Sequence, residues 1–569
     1  MKKIIFTLFI LGISKVSPGQ TLDWAKQLVG TGNLFSLSMA VDHLGNVFTT
    51  GSFDDTLIAD MDTGYYPIGS NGRGDIYLSK RSATGALLWI HSFGNYENDA
   101  GLSVAVDSIG NVFISGYFAD TIDFDPGVGV SNLISHKWYS GTFICKYDPS
   151  GNFLWARQIG SRGIYFITSM SASNNGNVYL FGKFSDTVDF DPGPGITQLY
   201  SSKRDNMFVA KYNASGHFRW AKNLESAGGN EPSIIYLDEM ENVYIAGSFS
   251  DTTDFDPGQS KYELTPYSYR EDIFIEKLDS SGNFLWVSQF GGPEDAIAND
   301  VTVDKNGNVF STGSFAGKVD FDPGPDSSFL KTDSIRNTDA FVSKLNSSGQ
   351  FVWAKKIGSF PYLEVGYSLV SDNMGNIYTT GVFNGTSTLQ PGNDSSYVSA
   401  GILKWEDIYL NKLDAQGNFL WTRQIGGESK DYSSDIAIDP NNLIYLTGHF
   451  GDDLDFDMTT SGYHLFSLVA WDGFVAKLDP TKVGIPKTPI IPKVFPYPNP
   501  FENLITFDLG YEYESIEVSL TDANGRVILK KHYSNTSAIS LYPSVSSGLY
   551  LVSIETNSSP TYFFKVIRK

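Results

Sequence analysis

Seven tryptophans recur at nearly constant spacing. Trp24, Trp89, Trp155, Trp220, Trp286, Trp353 and Trp421 stand 65, 66, 65, 66, 67 and 68 residues apart. A unit copied at that period must bury its apolar face against the next copy, so the chain folds as a repeat array. A second ladder, Lys80, Lys146, Lys211, Lys277, Lys344, Lys412 and Lys477, keeps the same register.

Within a unit, four runs alternate apolar and polar residues. In the fifth unit they are 300–304, 308–313, 339–344 and 351–355. Period two with Val, Phe and Thr predicts strands. Asp304-Lys-Asn-Gly307-Asn308 joins the first two runs and Asn346-Ser-Ser-Gly349-Gln350 the last two. An Asp or Asn that accepts a backbone hydrogen bond, followed by a left-handed Gly, makes a tight hairpin. Four antiparallel strands repeated seven times predict an all-β chain with a seven-bladed β-propeller; an open β-solenoid is the rival. The seventh unit lacks its Trp run, and the chain begins with an orphan one at Asp23-Trp24-Ala-Lys-Gln27. Setting the orphan beside the seventh unit closes the ring and removes an exposed edge. Tight turns then share one face and long loops the other, where binding is expected.

The long loops carry a recurring acidic phrase. Its carboxylates are Asp123 and Asp125, Asp189 and Asp191, Asp254 and Asp256, and Asp320 and Asp322, each pair spanning a Phe and preceding Pro-Gly. Variants are Asp60-Met-Asp62 in the first unit and Asp455-Phe-Asp457 in the seventh, and the sixth has Leu389-Gln390-Pro391-Gly392. Two carboxylates at i and i+2 point the same way and, with turn carbonyls, form a ligand set for Ca²⁺. The other reading is a loop that the Phe anchors and the Asp and Pro-Gly turn. Calcium is therefore a possible cofactor of these loops, and no other cofactor is implied.

Catalytic signals are sparse. The seven histidines fall at non-equivalent repeat positions, and neither H-E-x-x-H nor G-x-S-x-G occurs. The single Cys145 takes a place that Ser or Ala holds in other units, so it reads as a tolerated variant. A net charge of −22 argues against nucleic acid as a partner. The Trp ladder is expected to pack between units. The Lys ladder is expected to be solvated or ion-paired and worth little energy. A polysaccharide hydrolase would need a symmetry-breaking carboxylate pair with raised pKa in the central pocket.

The phrase Gly-Asn-Val-Phe-x-Thr/Ser-Gly, with Gly-Asn-Phe-Leu-Trp, resembles the bacterial SBBP-type β-propeller repeats. The resemblance covers about residues 21–480.

Both ends read as addresses. Lys2 and Lys3 precede an apolar run, Ile4 to Ile13, too short to span a bilayer, with Ser17 and Gly19 before a cleavage point. Residues 1–19 thus predict a signal peptide. No later stretch approaches 18 uninterrupted apolar residues, so no transmembrane segment is expected. Residues 20–480 form the repeat domain, and 481–496, with Pro486, Pro489, Pro492 and Pro496, a stiff linker. Residues 497–569 carry Pro498-Asn499-Pro500, Asp522-Ala-Asn-Gly525-Arg526, Gly548-Leu-Tyr550 and a basic end from Lys565 to Lys569. This order resembles the type A C-terminal sorting domain of the type IX (Por) secretion system. The resemblance implies an Ig-like β-sandwich, the type IX machinery as partner, and a secreted or outer-membrane surface location. The expected function is a binding or adhesion scaffold for an extracellular protein or glycan; the alternative is an extracellular polysaccharide hydrolase.

Overall fold

A computed structural model describes residues 21–59, 66–135, 140–160, 164–201, 205–335, 337–358, 363–387, 389, 398–400, 405–456, 463–467, 470–480, 496–497, 501, 503–522, 526–556 and 562–568. Among them every regular element is a strand. The expected signal peptide, Asp60, Asp62, Gln390–Gly392, Asp457 and residues 481–495 of the expected linker lie outside this set.

In the fifth unit the antiparallel order is Ala296–Val303, Val309–Ala316, Thr338–Leu345 and Phe351–Ile357, from inner to outer. The hairpins follow from their residues. Asp304 Oδ1 accepts the N–H groups of Asn306 and Asn308 at 2.8 and 2.9 Å, and Gly307 takes φ +78°. The inner strand begins at Ala296, ahead of the run that alternation marks. A bulge between Ala298 and Asp300 resets the side-chain phase, which hides the strand's first turn from a period-two reading.

The same four-strand order recurs from unit to unit. Each inner strand lies against those of the units before and after it, and Leu34–Val41 lies against Asp431–Ile438. The apolar cores sit between sheets: Ile273 and Ile275 of one pack with Ala298, Val301, Phe315 and Phe341 of the next. At the seam, Thr21–Gly30 pairs antiparallel with Asp472–Asp479, Ala25 opposite Ala476.

The two ladders form one clasp. In the first, second and fifth units Lys80 is opposite Trp89, Lys146 opposite Trp155 and Lys344 opposite Trp353. Both members of each pair donate to one carbonyl in the outer turn of the next unit: Pro149, Ala214 and Ala415 respectively. That turn's glycine lies on the indole. A Cβ at Gly349 would stand 2.8 Å from Trp286, so no other residue fits there. At the seam, Trp24 from the first strand and Lys477 from the last converge on Ala83 O, at 3.1 and 3.0 Å.

The Lys ladder is ion-paired at several positions, as expected: Lys146 Nζ lies 3.5 Å from Asp107, Lys211 2.9 Å from Glu241, Lys412 3.9 Å from Asp372 and Lys477 3.6 Å from Asp23. Its burial is what the sequence did not show. Lys80, Lys146, Lys344 and Lys477 are only 6–8 % exposed. Their ammonium groups lie over the rings of Phe48, Phe113, Phe310 and Tyr445 at 4.6–5.4 Å. A desolvated cation on an aromatic face is worth up to ~2 kcal/mol, more than an exposed ion pair.

The C-terminal region has two antiparallel sheets. One holds Pro496–Tyr497, Ile505–Tyr513 and Thr536–Leu541; the other holds Val527–Tyr533, Ile516–Asp522, Gly548–Thr556 and Tyr562–Arg568. Phe507, Ile539, Val518, Leu520, Val552 and Val566 from both share one core.

Candidate functional site

The acidic loops are tied by their own backbone. Asp123, Asp189, Asp254 and Asp320 each accept, through Oδ1, the N–H two residues on and the N–H eight residues on, at 2.7–3.2 Å. Asp125, Asp191, Asp256 and Asp322 accept the N–H of the following glycine at 2.8 Å. The intervening Phe124, Phe190, Phe255 and Phe321 are fully buried. Among the described residues these carboxylates belong to no group of three or more metal-ligating side chains.

The sheets surround a cavity of about 1110 Å³. One position of each inner strand lines it, in order Ser38, Ser103, Ser169, Ile234, Asp300, Ser368 and Asp435. These side chains tie unit to unit. Ser38, Ser103 and Ser169 accept the N–H groups of Val104, Met170 and Ile235 at 3.2–3.3 Å. Asp300 accepts from Leu369 N at 2.8 Å, and Asp435 closes the circuit by accepting from Met39 N at 2.9 Å. Ile234 has no acceptor to offer Val301, whose N–H turns instead to Asp300 Oδ1 at 2.7 Å. Ile436 N makes the same bond to Asp435 Oδ1, at 2.8 Å.

The two carboxyls are linked through Ser368, whose hydroxyl lies 2.6 Å from Asp300 Oδ2 and 3.2 Å from Asp435 Oδ1. Burial pushes Asp300 up to about 7, against hydrogen bonds from Ser368 and Leu369 and helped by the charge of Asp435. Burial likewise pushes Asp435 up to about 6. Raised carboxyls also occur in the contacts between sheets: burial lifts Asp99 and Asp407 to about 7, and the neighbouring Asp75 and Asp431 move in the same direction.

The fourth unit departs from the others at two further points. Glu241 adopts φ +60° where most units have glycine. Its carboxylate accepts from Tyr179 Oη at 2.6 Å and Lys211 Nζ at 2.9 Å; these bonds outweigh burial and hold it down to about 2. Glu276, fully buried, has neither oxygen hydrogen-bonded, and burial raises its pKa well above the usual carboxylate range.

On the long-loop face, aromatic rings gather at the seam. His449 stacks on Tyr432 at 5.3 Å between ring centres, with Phe35 and Trp471 edge-on at 5.1 and 5.3 Å. Neither Asp300 and Asp435 nor this cluster was singled out by the motif search. The signal lay in the repeat columns, where Asp interrupts a series of Ser and where His449 follows Ser52, Tyr117, Lys183, Ser248, Ser314 and Val382.

In the C-terminal region Tyr550 is buried and donates to Ser546 O at 2.8 Å. Gly548 and Lys565 lie on adjoining strands, with Lys565 opposite Leu551. Asp522 Oδ1 accepts from Arg526 N at 2.9 Å. Pro498, Asn499, Pro500, Gly525 and Lys569 lie outside the described residues. No helix among the described residues is long and apolar enough to cross a membrane.

Three stretches of the chain match known family models. Residues 285–314 and 420–449 match the family model of the β-propeller repeat, and residues 496–569 match that of the secretion system C-terminal sorting domain. The tail directs export through the type IX system to the cell surface or extracellular space, and implies contact with that machinery. An uncharacterized WD repeat-containing protein, L264, of Acanthamoeba polyphaga mimivirus is 23 % identical over 492 residues, covering 74 % of this chain and 35 % of its own. The regulatory protein FlaEY of Caulobacter vibrioides is 26 % identical over 247 residues, covering 42 % and 24 %. The chain thus spans about a quarter to a third of the length of the curated relatives it matches. The crystal structure of dimeric latent PorU from Porphyromonas gingivalis aligns over 65 % of this chain and 32 % of that one, at 11 % identity and a TM-score of 0.13.

Proposed function

We propose that this exported chain is a binding or adhesion scaffold: a closed seven-bladed propeller over residues 20–480, a linker at 481–496 and an Ig-like sorting domain at 497–569. A signal peptide at 1–19 starts the export route. The ligand is an extracellular protein or glycan, met on the long-loop face. The observation that carries this reading is the recurring clasp: Trp and Lys share a turn carbonyl of the next unit in the first, second and fifth units and at the seam, while side chains on the opposite face vary. Invariant units make a rigid frame, and variable loops on such a frame supply recognition. In this reading the acidic loops are closed by their carboxylates; Ca²⁺ bound by the same groups is the competing assignment.

A second reading has one specific observation in its favour. Asp300 and Asp435 break the inner-ring pattern, line the cavity and have raised pKa values, as a hydrolase acid and base would. Against it, both oxygens of each carboxylate already accept strand N–H groups, and similar shifts recur between sheets. The test is incubation of the full chain with a polysaccharide panel. The scaffold reading expects retention without new reducing ends. Release of reducing ends that Asp300→Asn or Asp435→Asn abolishes would establish the hydrolase.

A further inference from the structure

We propose that the last unit carries, up to its seam with the first, a binding strip for a neutral glycan, built on Trp405 of the sixth unit and Tyr432 and Trp471 of the last. The proposal rests on the scaffold reading and names its ligand class and site.

Ten tryptophans are present, and seven form the clasp ladder. The other three are Trp138, Trp405 and Trp471, and of these Trp405 and Trp471 stand just ahead of a third strand, at its long-loop end. Trp138 lies outside the described residues. Trp405 and Trp471 belong to adjacent units and are joined by a continuous row of side chains. Lys430 Nζ lies 5.3 Å over the Trp405 ring and 3.1 Å from Glu406. Tyr432, two residues on from Lys430 in the strand Asp431–Ile438, is 5.7 Å from Trp471. In the units where Glu271 and Glu406 occupy the position that Trp471 holds, the place is charged; only the seam makes it aromatic.

Core packing does not account for the whole row. Trp405 is 43 % exposed, and Phe35, Tyr432, His449 and Trp471 are all half-buried. Burial holds His449 down to about 4, so its imidazole is neutral at ordinary pH. Its Nδ1 is buried without a hydrogen-bond partner. The Lys430 and Glu406 charges cancel each other, so the strip presents ring faces beside a neutralised pair. Flat apolar rings bordered by hydrogen-bonding groups match a pyranose, which has an apolar C–H face and a polar hydroxyl edge. The net charge of −22 opposes an anionic polymer, and export outside the cell sets the strip where glycans are met.

The experiment is affinity electrophoresis of the full chain in gels cast with neutral polysaccharides (β-1,3-glucan, β-1,4-xylan, mannan), with dextran sulfate as the anionic control. The expected result is retardation by a neutral polysaccharide, about tenfold weaker in Trp405→Ala and in Trp471→Ala. Trp471→Phe should restore it, and melting temperatures should stay unchanged in Trp405→Ala. Retardation by a neutral polysaccharide that both alanine variants retain would overturn the strip and leave the scaffold standing. Retardation by dextran sulfate alone, or by no polysaccharide, would overturn the strip as a glycan site. Cleavage of the polysaccharide would remove the scaffold reading itself.

Discussion

Two sets of tryptophans share this chain and do opposite things. Six of the ladder indoles lie under glycines of the neighbouring unit and five of them bond to its outer turn; Trp155 is buried at 9 % exposure and the others are half-buried. The off-ladder pair sits on the opposite face, with Trp405 43 % exposed. The first set recurs because every junction poses the same packing problem. The second occurs where the units stop resembling one another. In a repeat fold, periodic residues hold the frame, and recognition is to be sought where the period breaks.

The sharpest way to break that comparison is to cut one residue from each set. Trp155→Ala removes a buried indole and a hydrogen bond, and should cost about 3–5 kcal/mol in chemical denaturation. Trp405→Ala should stay within about 0.5 kcal/mol of wild type. Equal losses would mean that both sets are framework.

The inner ring offers the next largest effect, through pH. Asp300 and Asp435, raised from the ordinary carboxylate value of 3.8 to about 7 and about 6, hold their protons more tightly when folded. Their contribution is fully present below about pH 4 and is lost as pH rises through about 6 to 7, by an amount on the order of 1–3 kcal/mol. Asp300→Asn should flatten that part of the stability–pH curve, because an amide does not ionise and still offers an acceptor to Leu369 N. An unchanged curve in urea melts between pH 4 and 8 would contradict the assignment.

Lys344→Met tests the clasp more gently. It removes the bond to Ala415 O and the contact with the Phe310 ring, and should cost about 1–2 kcal/mol, little altered by 0.5 M salt. A loss that vanishes in salt would return the ladder to ordinary ion pairs. The smallest effect belongs to the acidic loops. With each carboxylate already accepting backbone N–H groups, Asp191→Asn should shift stability by less than about 0.5 kcal/mol, and EDTA or millimolar Ca²⁺ should leave the melting temperature in place. A Ca²⁺-dependent rise lost in Asp191→Asn would make these loops metal sites.

Much of the frame was legible because it repeats. The Trp spacing, the Asp-x-x-Gly hairpins and the orphan strand at Trp24 led to the strand order and the seam pairing that the structure has. The Lys ladder was legible as a position but not as an energy, since the ring beneath each ammonium comes from the neighbouring second strand, as Phe310 does for Lys344. Asp300 and Asp435 stand 135 residues apart in sequence and meet only through Ser368. Phe35 and His449 meet only because the ring closes. A motif search reads neighbours along the chain, and these groupings depend on which strand ends up beside which.

Closure is the claim on which the frame and the cavity both depend, and amide hydrogen exchange tests it most directly. The account predicts that Ala25–Leu28 exchange as slowly as their partners at Gly473–Ala476, and as slowly as the outer strand Phe351–Ile357 of an interior unit. Rapid exchange of Thr21–Gly30 beside a protected Asp472–Asp479 would contradict it: the last sheet would then have an open edge.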